Sequence, residues 1–175
     1  MVSTAAITDQ LILVDEQDNP IGTCEKMEAH RQGLLHRAFS VFIFDAQGRM
    51  LLQQRALSKY HSGGLWTNAC CSHPFPDEEN LAAARRRLQE ELGFTTRLSK
   101  AFDFYYRAEF DNGLTEHEFD HVFVGQYEGS IAVNPQEVMD YCFLSLDEIE
   151  NQLTTRPDRY TAWFKIAFPR LKSWK

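Results

Sequence analysis

A loop that carries cysteine and histidine leads directly into an acidic amphipathic segment in residues 66–94. The loop ends with the sequence Asn68-Ala69-Cys70-Cys71-Ser72-His73-Pro74. Beyond it, Asp77 is suited to cap a helix that runs to about Leu92 and ends at Gly93. One face of this helix is expected to be apolar, with Leu81, Ala84, Leu88 and Leu92. We therefore expect a rigid helix that begins close to a thiol and a potential metal ligand.

Length and composition limit the class of protein. The 175 residues are enough for one domain with a proper core, and we predict a single domain over residues 1–175. The formal net charge of −7 argues against nucleic-acid binding through bulk positive charge. No segment reaches the roughly 20 apolar residues that a membrane span requires, and residues 1–10 lack the pattern of a secretory signal. The four cysteines form no disulfide framework, so we expect a cytoplasmic protein with free thiols and no membrane partner.

Strand and helix patterns are mixed along the rest of the chain. Apolar runs predict strands at Leu11–Val14, Ala38–Asp45, Met50–Gln54, Phe102–Glu109, Glu118–Glu128 and Val138–Leu144. A turn at residues 46–49 makes a hairpin of the second and third strands. Ser145 and Glu148 form a capping box that opens a helix, and a final helix is predicted over Tyr160–Leu171. This order indicates an α+β fold, an α/β/α sandwich on a mixed β-sheet.

Three histidines and two glutamates are candidate ligands for a metal ion: His30, His36, His73, Glu116 and Glu118. The two glutamates have strand spacing, and in a strand residues two apart point to one face, so both could address a single site while His117 points away. Imidazoles combined with carboxylates form a mixed nitrogen and oxygen shell suited to Zn, Mn or Fe. The alternative is that each is an ordinary surface or core residue, since the five come from three separate regions.

The spacing of charges in residues 72–94 resembles the Nudix box, G-x5-E-x7-R-E-U-x-E-E-x-G-U. The matching positions are Glu78, Arg86, Leu88, Glu90, Glu91, Gly93 and Phe94. Ser72 replaces the opening Gly, and Arg87 replaces a Glu that helps to hold divalent cations in Nudix hydrolases. The resemblance implies a Nudix-like fold, whereas Arg87 counts against diphosphate hydrolysis. Without the resemblance, these charges are ion pairs four residues apart on an exposed face, each worth about 0.3–0.5 kcal/mol.

Several motifs in order resemble the type I isopentenyl-diphosphate Δ-isomerases, a Nudix-fold family. They are Gly22–Lys26 with His30, His36–Ser40, Gln54–Lys59, Trp66–Asn68 with Cys71, His73 and Pro74, Glu90–Gly93, Glu116 with Glu118, Glu137–Tyr141 and Trp163. The resemblance extends from about Leu11 to Trp163. It implies the 1,3-allylic rearrangement of isopentenyl diphosphate to dimethylallyl diphosphate, which supplies isoprenoid biosynthesis.

Carried over position by position, the resemblance also implies roles for individual residues. Cys71 and Glu118 are the catalytic pair, with Tyr106 beside Glu118. The three histidines and two glutamates hold one Mn²⁺ or Zn²⁺, and Glu91 contributes to a Mg²⁺ site that includes the substrate diphosphate. The contacts to the substrate are Lys26, Arg55, Lys59 and Arg87 for the diphosphate and Trp163 for the isoprenoid pocket. We expect a small-molecule substrate and a monomer or weak homodimer.

The implied chemistry adds one proton to an unactivated alkene and removes another from the allylic carbon. It requires a positioned acid, a base on the opposite side and the exclusion of water. Our hypothesis is that Glu118, with Tyr106 and the metal, delivers the proton and that the Cys71 thiolate takes the other. Two alternatives are an ordinary Nudix hydrolase and a binding module without activity. In the second, Cys71 is a small buried apolar residue and Trp163 a core aromatic.

Overall fold

The computed structural model describes residues 10–174, which contain a nine-stranded sheet and four α-helices. The strands are β1 (Gln10–Val14), β2 (Pro20–Glu25), β3 (His36–Phe44), β4 (Met50–Arg55), β5 (Trp66–Thr67), β6 (Cys70–Ser72), β7 (Leu98–Glu109), β8 (Thr115–Gln126) and β9 (Val138–Leu144). The helices are α1 (Lys26–Gln32), α2 (Asn80–Leu92), α3 (Leu146–Thr155) and α4 (Ala162–Trp174). The termini of the predicted domain and most of the segment searched for a signal lie outside the described residues.

Strand β3 organises the sheet. It runs parallel to β8 over nine residue pairs, from His36 opposite Glu118 to Phe44 opposite Gln126. It is antiparallel to β1, β4 and β6. The predicted hairpin is present, but β3 and β4 pair only where Phe44 meets Met50, after which they diverge to other partners. The sheet is therefore mixed, as predicted.

The two faces of β3 pack against different helices because successive side chains of a strand point to opposite faces. Phe39, Val41 and Ile43 belong to a core cluster with the apolar face of α2. Phe42 and Phe44 belong to a second cluster with α3 and α4. Helices thus cover both faces of the sheet, which confirms the predicted α+β sandwich.

The start of α2 differs from the prediction. Asp77 lies in the left-handed region with φ 66°, and the N-cap position is held by Glu79, whose side chain makes no capping hydrogen bond. The chain first closes a turn in which the Glu78 amide donates to the Phe75 carbonyl oxygen at 3.0 Å, so the helix begins two residues later than Asp77 would allow. Leu81, in the first turn, is 40% exposed and lies outside the core, whereas the predicted end at Gly93 is correct.

Helix α1 was missed by the sequence analysis, and it carries one of the candidate ligands. The Glu25 carboxylate caps it by accepting from the amides of Met27 and Glu28, at 3.0 and 2.9 Å. Gly33 ends the helix with φ 66°, a conformation that costs glycine little. These two ends place His30 in the last turn, where it is fully buried.

Candidate active site

Polar side chains replace apolar ones at one end of the β3 face that is covered by α4. Glu118 on β8 lies opposite His36 on β3 and opposite Tyr106 on β7. Four residues farther along β3, and therefore on the same face, Ser40 lies opposite Cys71 on β6. Since residues two apart share a face, pairing of four strands brings the candidate acid, base and ligands to one side of the sheet.

The vicinal cysteines point to opposite faces for the same reason. The Cys70 thiol is buried in the α2 cluster and donates to Glu91 Oε2 at 2.8 Å. The Cys71 sulfur lies on the other side, next to the Trp163 indole. One of the two adjacent thiols therefore belongs to the packing under α2 and the other to the polar site.

The five candidate ligands come together from four segments, which are helix α1, strand β3, the loop that follows β6, and strand β8. Glu118 Oε2 lies 3.2 Å from His36 Nε2 and 2.8 Å from His73 Nε2, and Glu116 Oε1 lies 3.8 Å from His30 Nε2. Potential ligand atoms within 4.8 Å of one another include the triad of His30, His36 and His73 and the triad of His73, Glu116 and Glu118. The predicted joint placement of these residues is thus present in the structure.

The donor set of this cluster fits a divalent cation. His30 Nδ1 is 2.7 Å from the Lys26 carbonyl oxygen and His36 Nδ1 is 2.9 Å from that of Leu34, so each Nδ1 carries a hydrogen. When the His36 ring is neutral, its Nε2 carries a lone pair that faces Glu118 Oε2. Both atoms are electron-rich and repel each other, so a cation between them stabilises the arrangement. Nε2 of His30 and Oε2 of Glu116 are buried without a hydrogen-bond partner among the described residues. Burial also lowers the pKa of His73 to about 4, which keeps its ring neutral, the form that binds metal.

The Cys71 sulfur is held by three polar groups. It lies 3.1 Å from Asn68 Oδ1, 3.1 Å from Trp163 Nε1 and 3.4 Å from Ser40 Oγ. The Asn68 amide nitrogen donates to two carbonyl oxygens, so its Oδ1 must face the sulfur and accept the S–H hydrogen. Burial, with the nearby Asp120 carboxyl group, raises the pKa of the Cys71 thiol.

Glu118 differs from Cys71 in its electrostatic environment. Tyr106 donates to Glu118 Oε1 at 2.6 Å, while the two histidines contact the other oxygen. Burial and the Glu116 charge oppose ionisation, but the contacts with His36 and His73 lower the pKa of Glu118. At neutral pH the site therefore favours a thiol at Cys71 and a carboxylate at Glu118.

The four predicted diphosphate contacts line one cavity of about 390 Å³: Lys26, Arg55, Lys59 and Arg87. Glu137 holds two of them, at 2.6 Å from Lys59 Nζ and 3.3 Å from an Arg87 nitrogen. The Nε atoms of Arg55 and Arg87 are buried without an acceptor among the described residues. The cavity therefore offers cationic donors that a phosphate group can satisfy.

A second, much smaller cavity of about 20 Å³ adjoins the first. Its lining includes Cys71, Glu116, Glu118 and Trp163, and Cys71 also lines the larger cavity. A volume of this size holds about one water molecule. The Arg55 guanidinium lies over the Trp163 ring at 5.1 Å, at the junction of the two cavities.

The predicted magnesium ligand lies apart from the histidine cluster. Glu91 is on the α2 face, 3% exposed, where it accepts from Cys70 and lies 3.7 Å from Arg87 Nη2. It is in none of the ligand triads found among residues 10–174. Burial raises the pKa of Glu91 despite the Arg87 charge.

The sequence analysis did not identify several polar residues of this site. They are Ser40, Asn68, Asp120 and His61. Asp120 is two residues beyond Glu118 on the same strand, so the alternation that paired Glu116 with Glu118 also predicts its inward position. His61 lies in a loop, and no sequence periodicity predicts where a loop residue points.

Comparison with known proteins identifies the family of the chain. The model of the NUDIX domain matches residues 34–164. "Isopentenyl-diphosphate Delta-isomerase 2" of Aromatoleum aromaticum is 52% identical over 94% of this chain and 87% of its own length. The chain belongs to the isopentenyl-diphosphate Delta-isomerase family, within the Nudix fold. A second member, from Serratia proteamaculans, is 52% identical over 89% of this chain and 87% of its own length.

Solved structures support the Nudix fold of this family member at low sequence identity. The crystal structure of DR0079 from Deinococcus radiodurans superposes with a TM-score of 0.78 at 19% identity and covers 92% of this chain and 98% of its own. The MutT protein from Methanosarcina mazei gives 0.66 at 21% identity, over 79% and 94% of the two chains. Within residues 10–174, no helix has the length and apolar character required to cross a membrane.

Proposed function

We infer that this chain is an isomerase that converts isopentenyl diphosphate to dimethylallyl diphosphate, the activity named for relatives that are about half identical to it. One observation carries the inference for the residues themselves. A partly buried thiol and a buried carboxylate line the same small cavity, which adjoins a cavity lined by four cationic side chains. A small substrate with an anionic end for the cationic cavity and a short hydrocarbon end for the cavity between the thiol and the carboxylate matches this arrangement.

We propose that the diphosphate binds in the larger cavity, with Lys26, Arg55, Lys59 and Arg87 as donors. A diphosphate carries about three negative charges, and charge-assisted hydrogen bonds from guanidinium and ammonium groups stabilise it. Arg87 is then a substrate contact, which explains why it occupies the place of a hydrolase glutamate. Binding energy at this end holds the alkene near Cys71.

We propose that His30, His36, His73, Glu116 and Glu118 hold one divalent ion, Mn²⁺ or Zn²⁺. The orphaned Nε2 and Oε2 atoms of the cluster support this set. The ion would supply a positive charge that alters the acidity of the groups next to it. We further propose that Glu91, together with the substrate diphosphate, contributes to a separate Mg²⁺ site.

Cys71 and Glu118 are proposed to hold one proton between them and to act at the two ends of the allylic system. The terminal carbon of the alkene gains a proton from one group, and the allylic carbon loses a proton to the other. The pKa directions favour thiol and carboxylate before substrate binds. If Glu118 delivers the first proton, the Cys71 thiol must first pass its own proton to Glu118, so that a thiolate remains to take the allylic proton; the Tyr106 hydroxyl, 2.6 Å from Glu118 Oε1, hydrogen-bonds the same carboxyl group.

The hydrocarbon end requires a local opening. The cavity between Cys71 and Glu118 has room for about one water molecule, which is less than a five-carbon chain needs. We propose that the Trp163 ring moves away from the Cys71 sulfur as the substrate enters and then covers it. An indole face next to developing positive charge stabilises it by about 0.5–2 kcal/mol.

Incubation with isopentenyl diphosphate, Mg²⁺ and Mn²⁺ in deuterated water, followed by NMR, tests the proposal. We expect deuterium in the dimethylallyl diphosphate product. Cys71→Ala and Glu118→Gln are expected to remain folded and to form labelled product at least about 100-fold more slowly than the parent, whereas Cys70→Ala is the matched thiol control. Release of inorganic phosphate without rearrangement would identify a hydrolase instead, and turnover by Cys71→Ala at a rate near that of the parent would remove the thiol from the mechanism.

A further inference from the structure

His61 is not one of the predicted metal ligands, but its ring points at one of them, Glu116. His61 lies in the loop between β4 and β5, and its side chain is 1% exposed. Its Nε2 lies 3.4 Å from Glu116 Oε1 and has no hydrogen-bond partner among the described residues. A buried imidazole nitrogen without a partner costs stability, so its direction towards a carboxylate requires an explanation.

The contact made by His61 Nδ1 shows which nitrogen of the ring carries the hydrogen. His61 Nδ1 lies 3.1 Å from Ser62 Oγ, and a hydroxyl can donate to it. Nε2 then carries the ring hydrogen and faces a carboxylate, which only accepts when it is ionised. The separation of 3.4 Å is slightly long for a hydrogen bond, and a small rotation of the carboxylate closes it.

The position of the His61 ring is fixed on several sides. Phe110 stacks on it with ring centres 4.5 Å apart and planes at 18°, and Trp163 meets it edge-on at 5.6 Å. Tyr60 contacts it edge-on at 4.3 Å. The Arg55 guanidinium donates to the His61 carbonyl oxygen at 3.1 Å, so the backbone is held as well.

The loop that carries His61 has an unusual backbone. Ser62 adopts φ 54°, which is uncommon for a residue with a side chain. A Cβ at Gly63 would meet the Leu57 carbonyl oxygen at 2.7 Å, so only glycine fits there. Strained positions of this kind persist where the surrounding structure maintains them, and they are common at functional sites.

We propose that His61 is a positioning residue of the metal centre, which donates from Nε2 to Glu116 and holds that carboxylate towards His30. This rests on the proposed metal site. The potential ligand atoms of His61, His30 and Glu116 lie within 4.8 Å of one another. Among residues 10–174, no such group of three contains His61 together with His36 or His73. His61 therefore lies on the outer side of Glu116, where it orients the ligand and does not bind the ion.

Chelator-competition titration of the purified apoprotein with Zn²⁺ and with Mn²⁺ tests this role without measuring turnover. His61→Phe keeps a ring for the contacts with Phe110 and Trp163 but removes the donor, and we expect metal affinity to fall about 10–100-fold. His61→Gln keeps an N–H donor and is expected to stay within about threefold of the parent. His117→Phe is the matched control, because His117 contacts the Gly33 carbonyl oxygen and points away from the cluster.

Two results would overturn the proposal. Parental affinity in His61→Phe would show that the donor is irrelevant, and equal loss in His61→Phe and His61→Gln would assign His61 as a ligand. If His61→Phe does not fold, as judged by circular dichroism, His61→Leu replaces it in the same comparison. The deuterium experiment tests the proposed activity separately, so its failure would not be confused with a failure here.

Discussion

The two faces of strand β3 show how one segment supplies both stability and chemistry. Towards α2 it presents Phe39, Val41 and Ile43, all fully buried and packed against apolar side chains. Towards α4 the same strand begins with His36 and Ser40, whose partners are carboxyl groups and a thiol. The comparison teaches that the face under α2 can hold the fold together while the other face keeps polar groups that are costly to bury and that form the proposed active site.

The adjacent cysteines give the most direct way to break this comparison. We expect Cys71→Ala to lower kcat by about 10²–10⁴-fold, because it removes one member of the proposed acid–base pair. Cys70→Ala should retain most of the parental kcat, since its thiol lies under α2. Steady-state kinetics with both variants measures the difference, and comparable losses in the two would contradict the separation of the faces.

A substitution in the apolar face should affect stability instead of chemistry. Leu88→Ala removes a fully buried side chain of α2, and we expect the free energy of unfolding to fall by about 2–5 kcal/mol. Urea denaturation measures this change. At a temperature where the variant is folded, kcat should remain near the parental value; a large loss of kcat would show that α2 packing also positions the site.

On the polar side, the charge of Lys26 predicts how kcat/KM depends on pH. Burial, with the nearby charges of Lys59 and Arg87, lowers the pKa of Lys26 to about 8. A lysine loses its charge as pH rises through its pKa, so kcat/KM should fall up to about tenfold per unit above pH 8. In Lys26→Arg the charge persists, and the same decline should disappear. A decline that is unchanged in this variant would assign the titration to another group.

The smallest effect is expected on the exposed side of β7. Arg107 and Glu109 form an ion pair at 2.8 Å, but their side chains are 53% and 70% exposed. Arg107→Ala should change the free energy of unfolding by less than about 0.5 kcal/mol and leave kinetics unaltered. Thermal denaturation and steady-state kinetics measure both quantities. A fall in the free energy of unfolding above about 1 kcal/mol would show that this exposed ion pair stabilises the fold more than its exposure predicts.

Much of the fold could be predicted because its signals are local. Val138–Leu144 and the Ser145 capping box were predicted as observed, since an apolar run and a cap depend on neighbouring residues. The start of α2 was wrong because a turn stabilised by Glu78 and Arg86 delays the helix. The short strands β5 and β6 were missed because two or three residues form a strand only where partners are already in place.

The sequence by itself determined the family, the mixed sheet between helices and the candidate side chains for proton transfer and ligand binding. Those properties follow from residue types and spacings, which need no knowledge of distant contacts. Only the tertiary structure decided that Cys70 and Cys71 face opposite sides of the sheet and that His61 is directed at Glu116. Strand register and loop conformation set these positions, and both depend on pairing and packing between residues far apart in the chain.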